Sequence, residues 1–307
     1  MGNNPSTAED ASKPFSVVSQ IANQIFAKFP EQQDIQIPGI IHYATMHNGE
    51  LGISVELVGE LHLKQHLAND GKGFLSFFEA ARLDCPGTDF FVEMNSIFKN
   101  AKSEENDQTD SSQLIQKLRQ TRCNIHAVDA RSEMPEVIAA PVQLFDQLIH
   151  LGVSPDAEER IHGYLNGTLY HFAMLIGQLR DENDPEKWHI KILSRMVAGL
   201  PTQELKRKFI KLVQDRFSLL FDMALNEQSN VMFSLRTLQA TFMDLYTIAR
   251  ILKKQPTKAV VYGGGAHTSQ IEQLLVEIGF KNAQDPSPFH HEITDSVLTI
   301  KRHKKQP

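Results

Sequence analysis

Between residues 51 and 130, and again from 257, short β-branched and apolar runs alternate with segments of helical periodicity. That alternation is what most narrows the folds open to the chain. The runs are LGISVELVG at 51–59, TDFFVEM at 88–94, CNIHAVDA at 123–130 and TKAVVYGG at 257–264. Helical patterns at 74–83 and 112–120 separate the first three, and SQIEQLLVEIGF at 269–280 follows the fourth with Ile271, Leu274, Leu275 and Ile278 on one side. Strands joined through helices make βαβ units. An α/β fold is therefore expected, with a mainly parallel central sheet flanked by helices.

Other elements attach to this frame. Val18, Ile21, Ile25 and Phe26 recur at helical spacing and predict a first helix from Ser16 to about Phe29. GIIHYATMH at 39–47 reads as a strand that turns through His47-Asn48-Gly49-Glu50 into the 51–59 run. Thr268 or Ser269 is expected to cap the helix that follows, with Glu272 placed as in a capping box. SVLTIKR at 296–302 is expected to be the last strand.

The alternation breaks after Arg131. From 139 to 254 the patterns are helical, interrupted at Gly152–Asp156, at 181–187 and at Gly199-Leu200-Pro201. The last carries Leu235, Leu238, Phe242, Leu245, Ala249 and Leu252 on one face. The expected organisation is an α/β core of 16–135 and 255–303, with an all-helical insertion at 139–254 as a cap or lateral bundle. Residues 1–15 read as a disordered arm and 101–112 as a solvated loop.

Composition narrows the function. The 307 residues carry 31 Lys plus Arg against 37 Asp plus Glu, a formal charge of -6, so no nucleic-acid partner is expected. No apolar run reaches the length of a membrane span. Cys85 and Cys123 are the only cysteines, which excludes a thiol-rich zinc site and a disulfide framework and predicts a reducing compartment. No secretory signal opens the chain, and a cytoplasmic location is expected. Met1-Gly2 with Ser6 has the spacing of N-myristoylation, and a single acyl chain would give only weak membrane association through Gly2. The sequon Asn166-Gly167-Thr168 has no consequence in a chain that stays outside the secretory lumen.

The strand ends carry the chemistry. In open α/β sheets ligands bind beyond the carboxyl ends of the strands. Glu60 and His62, two apart, follow the 51–59 run after Gly59, which lets a backbone or ligand approach closely. His66 would share a face with His62 if a helix starts there. Glu93 ends the second run, Asp129 and Arg131 end the third, and Gly264 and His267 follow the fourth. Carboxylates and imidazoles so placed can hold a metal or serve as acid and base, whereas a capping Glu and a satisfied His are the bland alternative. Asp244 and Arg250 flank the apolar stripe of the preceding helix on opposite sides, and surface salt bridges are their ordinary explanation. GGGAHTSQ lacks the third glycine of a dinucleotide fingerprint and no P-loop or G-x-S-x-G occurs, although glycines before a helix keep a phosphate-bearing ligand open.

GELH at 59–62, Glu93, D-x-R at 129–131, an Arg in the helix before the final core strand, and GGAH at 264–267 together resemble the superfamily of TraB and TIKI proteins, ChaN-like haem or iron proteins and erythromycin esterases. Its hallmark is two distant G-x-x-H motifs. Related domains occur in bacterial toxins and effectors and in intracellular bacteria, so a location within a host cell joins the expectations. The resemblance implies Glu60, His62, Glu93 and His267 as an active-site floor, with Arg131 and Arg250 on an anionic group. It covers less than half the chain and leaves the substrate open.

Three functions are weighed. The first is a hydrolase. In its metal form Glu60, His62, Glu93 and His267 hold a divalent ion (Mn, Zn, Fe or Co). In its metal-free form His62 or His267 takes a proton from water while Glu93 or Asp129 orients the ring. Asp244, Gly264, Arg131 and Arg250 are the expected substrate contacts, on a polar or anionic substrate. The second is a protein that binds haem, iron or a phosphorylated ligand without turnover. The third is an effector or regulator whose helical insertion contacts a protein partner. His62 and His267 are expected on adjacent or near-adjacent strands, with insertion helices walling the carboxyl edge and Arg250 facing the cleft.

Overall fold

A computed structural model describes residues 16–61, 73–79, 87–95, 123–130, 184–188, 190–226, 231–283 and 289–302, with single positions at 134, between 114 and 121 and between 163 and 178. The arm at 1–15, the loop at 101–112, His62, His66, Arg131 and much of 139–183 lie outside the described residues.

The central sheet has six strands: β2 (Ile40–Asn48), β3 (Ile53–Glu60), β4 (Thr88–Asn95), β5 (Asn124–Asp129), β6 (Lys258–Gly264) and the short β7 (Lys281–Asn282). They stand in the order β5-β4-β6-β3-β2-β7. β5, β4, β6 and β3 run parallel, and β2 and β7 extend the sheet antiparallel. The mostly parallel α/β sheet read from the alternation is therefore present. The final predicted strand does not join it. β9 (Val297–Arg302) lies between β1 (Asp34–Pro38) and β8 (Phe289–Thr294) in a separate antiparallel sheet. The β8–β9 hairpin turns through Asp295 and Ser296, both at positive φ (50° and 61°), where glycine would have advertised the turn.

Alternation along each strand divides the core into two layers. Val55, Leu57, Phe91, Val128, Ala259 and Val261 face one way. They pack under helices α3 (Lys191–Ala198), α4 (Gln203–Asn226), α5 (Val231–Lys254) and α6 (Gly265–Glu277). Val58, Phe90, Val92, Val260 and Tyr262 face the other way, toward α1 (Val17–Lys28) and the short α2 (Phe74–Glu79). Leu238, Phe242, Leu245, Ala249 and Leu252 of α5 are buried, as the stripe predicts. Among the described residues from 139 to 254 every element is helical, and these helices cover one face of the sheet.

A buried carboxylate seats α1. Ser16 caps it through the Ser19 amide, and Glu56 of β3 accepts from the backbone N–H of Val17 (2.8 Å) and Val18 (3.1 Å) and from the Tyr43 hydroxyl (2.8 Å). A negative charge on helix N-terminal amides is favourable, and here it comes from another element.

Two expectations are corrected. The helix after β6 begins at Gly265, not at Ser269, so His267 stands in its first turn. Thr268 turns its hydroxyl back to the Gly264 and Gly265 carbonyls, and Glu272, the expected capping-box partner, bonds His42 Nε2 at 2.8 Å. Cys123 is disulfide-bonded, and the only other cysteine, Cys85, lies outside the described residues. Too few thiols for a framework still suffice for one bridge, so the step from cysteine count to a reducing compartment does not hold. Among the described residues no helix is long and apolar enough to cross a membrane.

Candidate functional site

Parallel register brings the predicted strand ends into one row. Glu60 of β3 lies opposite Gly264 of β6, Val92 of β4 opposite Tyr262, and Asp129 of β5 opposite Asn95. β3 and β6 are neighbours, as the pairing of the two G-x-x-H motifs requires, although His62 itself falls outside the described residues.

The side chains then divide between the faces. Glu93 follows Phe91 onto the α5 side and lies over Gly263, where a Cβ would come within 2.9 Å of Glu93 Oε2. That oxygen accepts the Gly264 N–H at 2.8 Å. The glycine-rich start of α6, expected to be open to phosphate, thus already holds a carboxylate. No side chain of its own N-cap residue caps this helix.

His267 leaves the first turn of α6 toward α5. Its Nδ1 meets Asp244 Oδ1 at 2.8 Å, and its Nε2 lies 3.7 Å from Glu93 Oε1. The imidazole therefore stands between two carboxylates from two other elements. Asp244 is only 1% exposed, so its expected role as a substrate contact is corrected: it reaches the histidine and is closed to a ligand. Burial pushes its carboxyl up to about 6, with the Glu93 charge acting the same way and the His267 hydrogen bond and charge pulling against both. Raising a carboxylate from 3.8 to about 6 costs the folded state about 3 kcal/mol once it is ionised. That cost falls on the fold as pH rises from about 4 through 6, and is absent below.

Glu60 and Asp129 do not join this group. Glu60 continues the alternation of Glu56 and Val58 onto the α1 side, where the Tyr262 hydroxyl donates to its carboxylate. Asp129 shares the parity of Ile125 and Ala127, again on that side. Alternation with a period of two along β3 and along β5 decides this, and the β4–β5 register shift between Val92 and Asn95 leaves it untouched. Arg250 is displaced as well. It stands six residues beyond Asp244 on α5, about 9 Å along the axis and toward the amino ends of the strands, because α5 runs back into β6. The expectation that Arg250 faces the carboxyl-edge cleft is thereby corrected.

Asp244 lies level with Glu93, and the 13 residues before it carry α5 about 20 Å further, past the carboxyl edge. The sequence reading missed the Tyr262–Glu60 pair and, on the opposite face of the sheet, a buried ring, His126 of β5, which stacks on Phe91 and bonds Asp89 of β4 at 2.5 Å. Both lie inside apolar runs, and only strand register reveals the partners.

Among the described residues no group of three or more His, Cys, Asp and Glu could hold a metal ion. His267 Nε2 and Glu93 Oε1 are close enough to share one, since ligand atoms of a tetrahedral site with bonds of about 2 Å stand roughly 3.3 Å apart. Two donors alone do not make a centre; of the other two expected ligands, Glu60 faces the other way and His62 lies outside the described residues.

Comparison with protein-family models, with curated proteins and with solved structures gives no match to this chain.

Proposed function

We propose that the chain is a hydrolase in which His267, oriented by Asp244, takes a proton from a water molecule held against Glu93. The carrying observation is the Asp244–His267–Glu93 arrangement, assembled from α5, α6 and β4. A buried carboxylate bonded to Nδ1 selects the tautomer with the proton there and leaves Nε2 as a base. A water within reach of Nε2 and Glu93 Oε1 would be deprotonated by the first and oriented by the second. The first amides of α6, at Gly265 and Ala266, are the donors best placed for an oxyanion developing on a polar, carbonyl-bearing substrate.

Asp244, buried and bonded to Nδ1 of His267, stands where a carboxylate that orients a base would stand. The helices from 139 to 254 act in this reading as an insertion that covers the sheet and, through α5, walls the site. The resemblance to the TraB/TIKI, ChaN-like and erythromycin esterase superfamily supports hydrolysis and leaves the substrate to be identified. A metal-dependent form is the second reading, favoured by the 3.7 Å spacing and by the carboxylate on the other nitrogen of His267. His62 would then be the third ligand, and the ion would supply water acidified by coordination.

Asp244→Asn tests the reading. In wild type, hydrolysis of a 4-nitrophenyl ester or amide should fall as pH drops through about 6, where Asp244 takes up a proton and loosens its hold on Nδ1. In the variant kcat should fall about 10²- to 10⁴-fold with KM little changed. Elemental analysis of the same preparations separates the two forms: transition metal near one per chain in wild type favours the metal form, and metal-free protein with full activity favours the base. Unchanged kcat in Asp244→Asn would remove His267 as the oriented base.

A further inference from the structure

A cavity of about 320 Å³ opens beside β5, the strand that ends the order of the described central sheet, on the face turned away from His267. Ile115 and Arg119, from the helical segment before β5, form one side of it, and Cys123, Asn124, Ile125 and Ala127 form the other. Leu114 and Leu118 beside it are sealed in the α1-side core, whereas Ile125 and Ala127 are only half-buried. The two sides meet in a turn whose polar groups are satisfied within it. Thr121 donates its amide (3.0 Å) and its hydroxyl (2.6 Å) to the Leu118 carbonyl, and its Oγ1 accepts the Cys123 N–H at 3.3 Å. The disulfide of Cys123 adds a covalent anchor at the same point. A wall fixed in this way keeps its shape without a ligand, which is the usual condition of a small-molecule pocket.

We propose that this cavity binds a small monocarboxylate with an apolar body, aromatic or aliphatic. The size fits: at about 30 Å³ per water the space holds about ten waters, or an organic acid of about ten non-hydrogen atoms. Ile115, Ile125, Ala127 and the disulfide offer the body an apolar surface from which water is released on binding. Arg119 and Asn124 are exposed and mark the open side. Among the described lining residues Arg119 is the one ionisable side chain, so the cavity matches an anion and offers nothing to a cation. A guanidinium carries five N–H donors; a carboxylate takes two of them in a fork and leaves the rest for contacts within the protein. The site stands independently of hydrolysis at the carboxyl edge, because Cys123 and Ile125 pack on the α1 side of the sheet while His267 reaches toward α5.

The test is a titration of the full chain, with its disulfide intact, by 3-phenylpropanoate and by octanoate, read on the isoleucine δ1-methyl NMR signals. Ile115 and Ile125 are assigned from the signals missing in Ile115→Val and Ile125→Val. At least one acid should shift both signals to saturation and bind about tenfold or more tightly than the alcohol of the same skeleton. A response to one acid alone tells a ring from a chain. Acetate, which has the charge without the body, should bind about tenfold or more weakly than the acid that fits. Arg119→Met changes an exposed side chain and should erase the preference for acid over alcohol. Ala127→Leu, which fills the cavity, should block both, and His267→Ala should bind as wild type does. If Ala127→Leu does not fold, Arg119→Met decides alone. No saturable shift at Ile115 and Ile125 with either acid, equal binding of acid and alcohol, a folded Ala127→Leu that binds as wild type does, or an unchanged affinity in Arg119→Met overturns the site.

Discussion

Replacing His267 by alanine should lower kcat/KM for hydrolysis by about 10³-fold, with a fold that still unfolds cooperatively but melts lower, because Asp244 is left buried without its partner. The ring reaches both Asp244 and Glu93, so its removal takes away the base and the partner of the buried carboxylate together. His267→Gln should be as inactive as alanine, because an amide accepts no proton at neutral pH. Screening wild type and variant side by side against 4-nitrophenyl esters and amides and a phosphate monoester checks this. Activity that survives in His267→Ala would place the chemistry elsewhere.

The second large effect is structural and falls on the first G-x-x-H motif. Gly59→Ala should lower the melting temperature by about 6–12 °C, corresponding to roughly 3 kcal/mol. A Cβ at Gly59 would stand 2.2 Å from Thr268 Oγ1, 2.7 Å from Gly265 Cα and 2.9 Å from His42 Cβ. Two of these three belong to the first turn of α6, which cannot retreat without moving His267. Gly49→Ala is the control: its Cβ would meet nothing closer than 3.7 Å, and its melting temperature should stay near wild type. Circular dichroism melts of the two variants decide the point. The glycine is thus explained by the approach of α6 to β3.

Much of this site was legible because charges at the ends of apolar parallel strands have no packing reason to be there. Glu93 and His267 were found on that ground, and the register that aligns Glu60 with Gly264 follows from the parallel sheet. Which face each side chain takes was not legible. It depends on strand order and register, so Glu60 was grouped with Glu93 although Tyr262 holds it on the opposite face. Asp244 stood out in sequence, but its role required the packing of α5 against α6 and could not come from helical spacing alone. His126 and Asp89 were hidden in apolar runs, where an alternating strand gives no sign of a cross-strand pair. β1 and β8 were missed for a related reason: they belong to a small sheet outside the alternation, in which the β8–β9 turn uses Asp295 and Ser296 where glycine is usual.

Among the described residues the carboxyl edge gathers Glu93, Asp244 and Glu60, while Arg250 stands toward the opposite edge.

The most direct measurement is the ¹⁵N spectrum of the His267 imidazole in wild type and Asp244→Asn above neutral pH. Asp244 accepting from Nδ1–H predicts a protonated Nδ1 and a bare, basic Nε2 beside Glu93, and in the variant a mixture of both tautomers. A proton on Nε2 in wild type, directed at Glu93, would leave the site without a base and contradict the account.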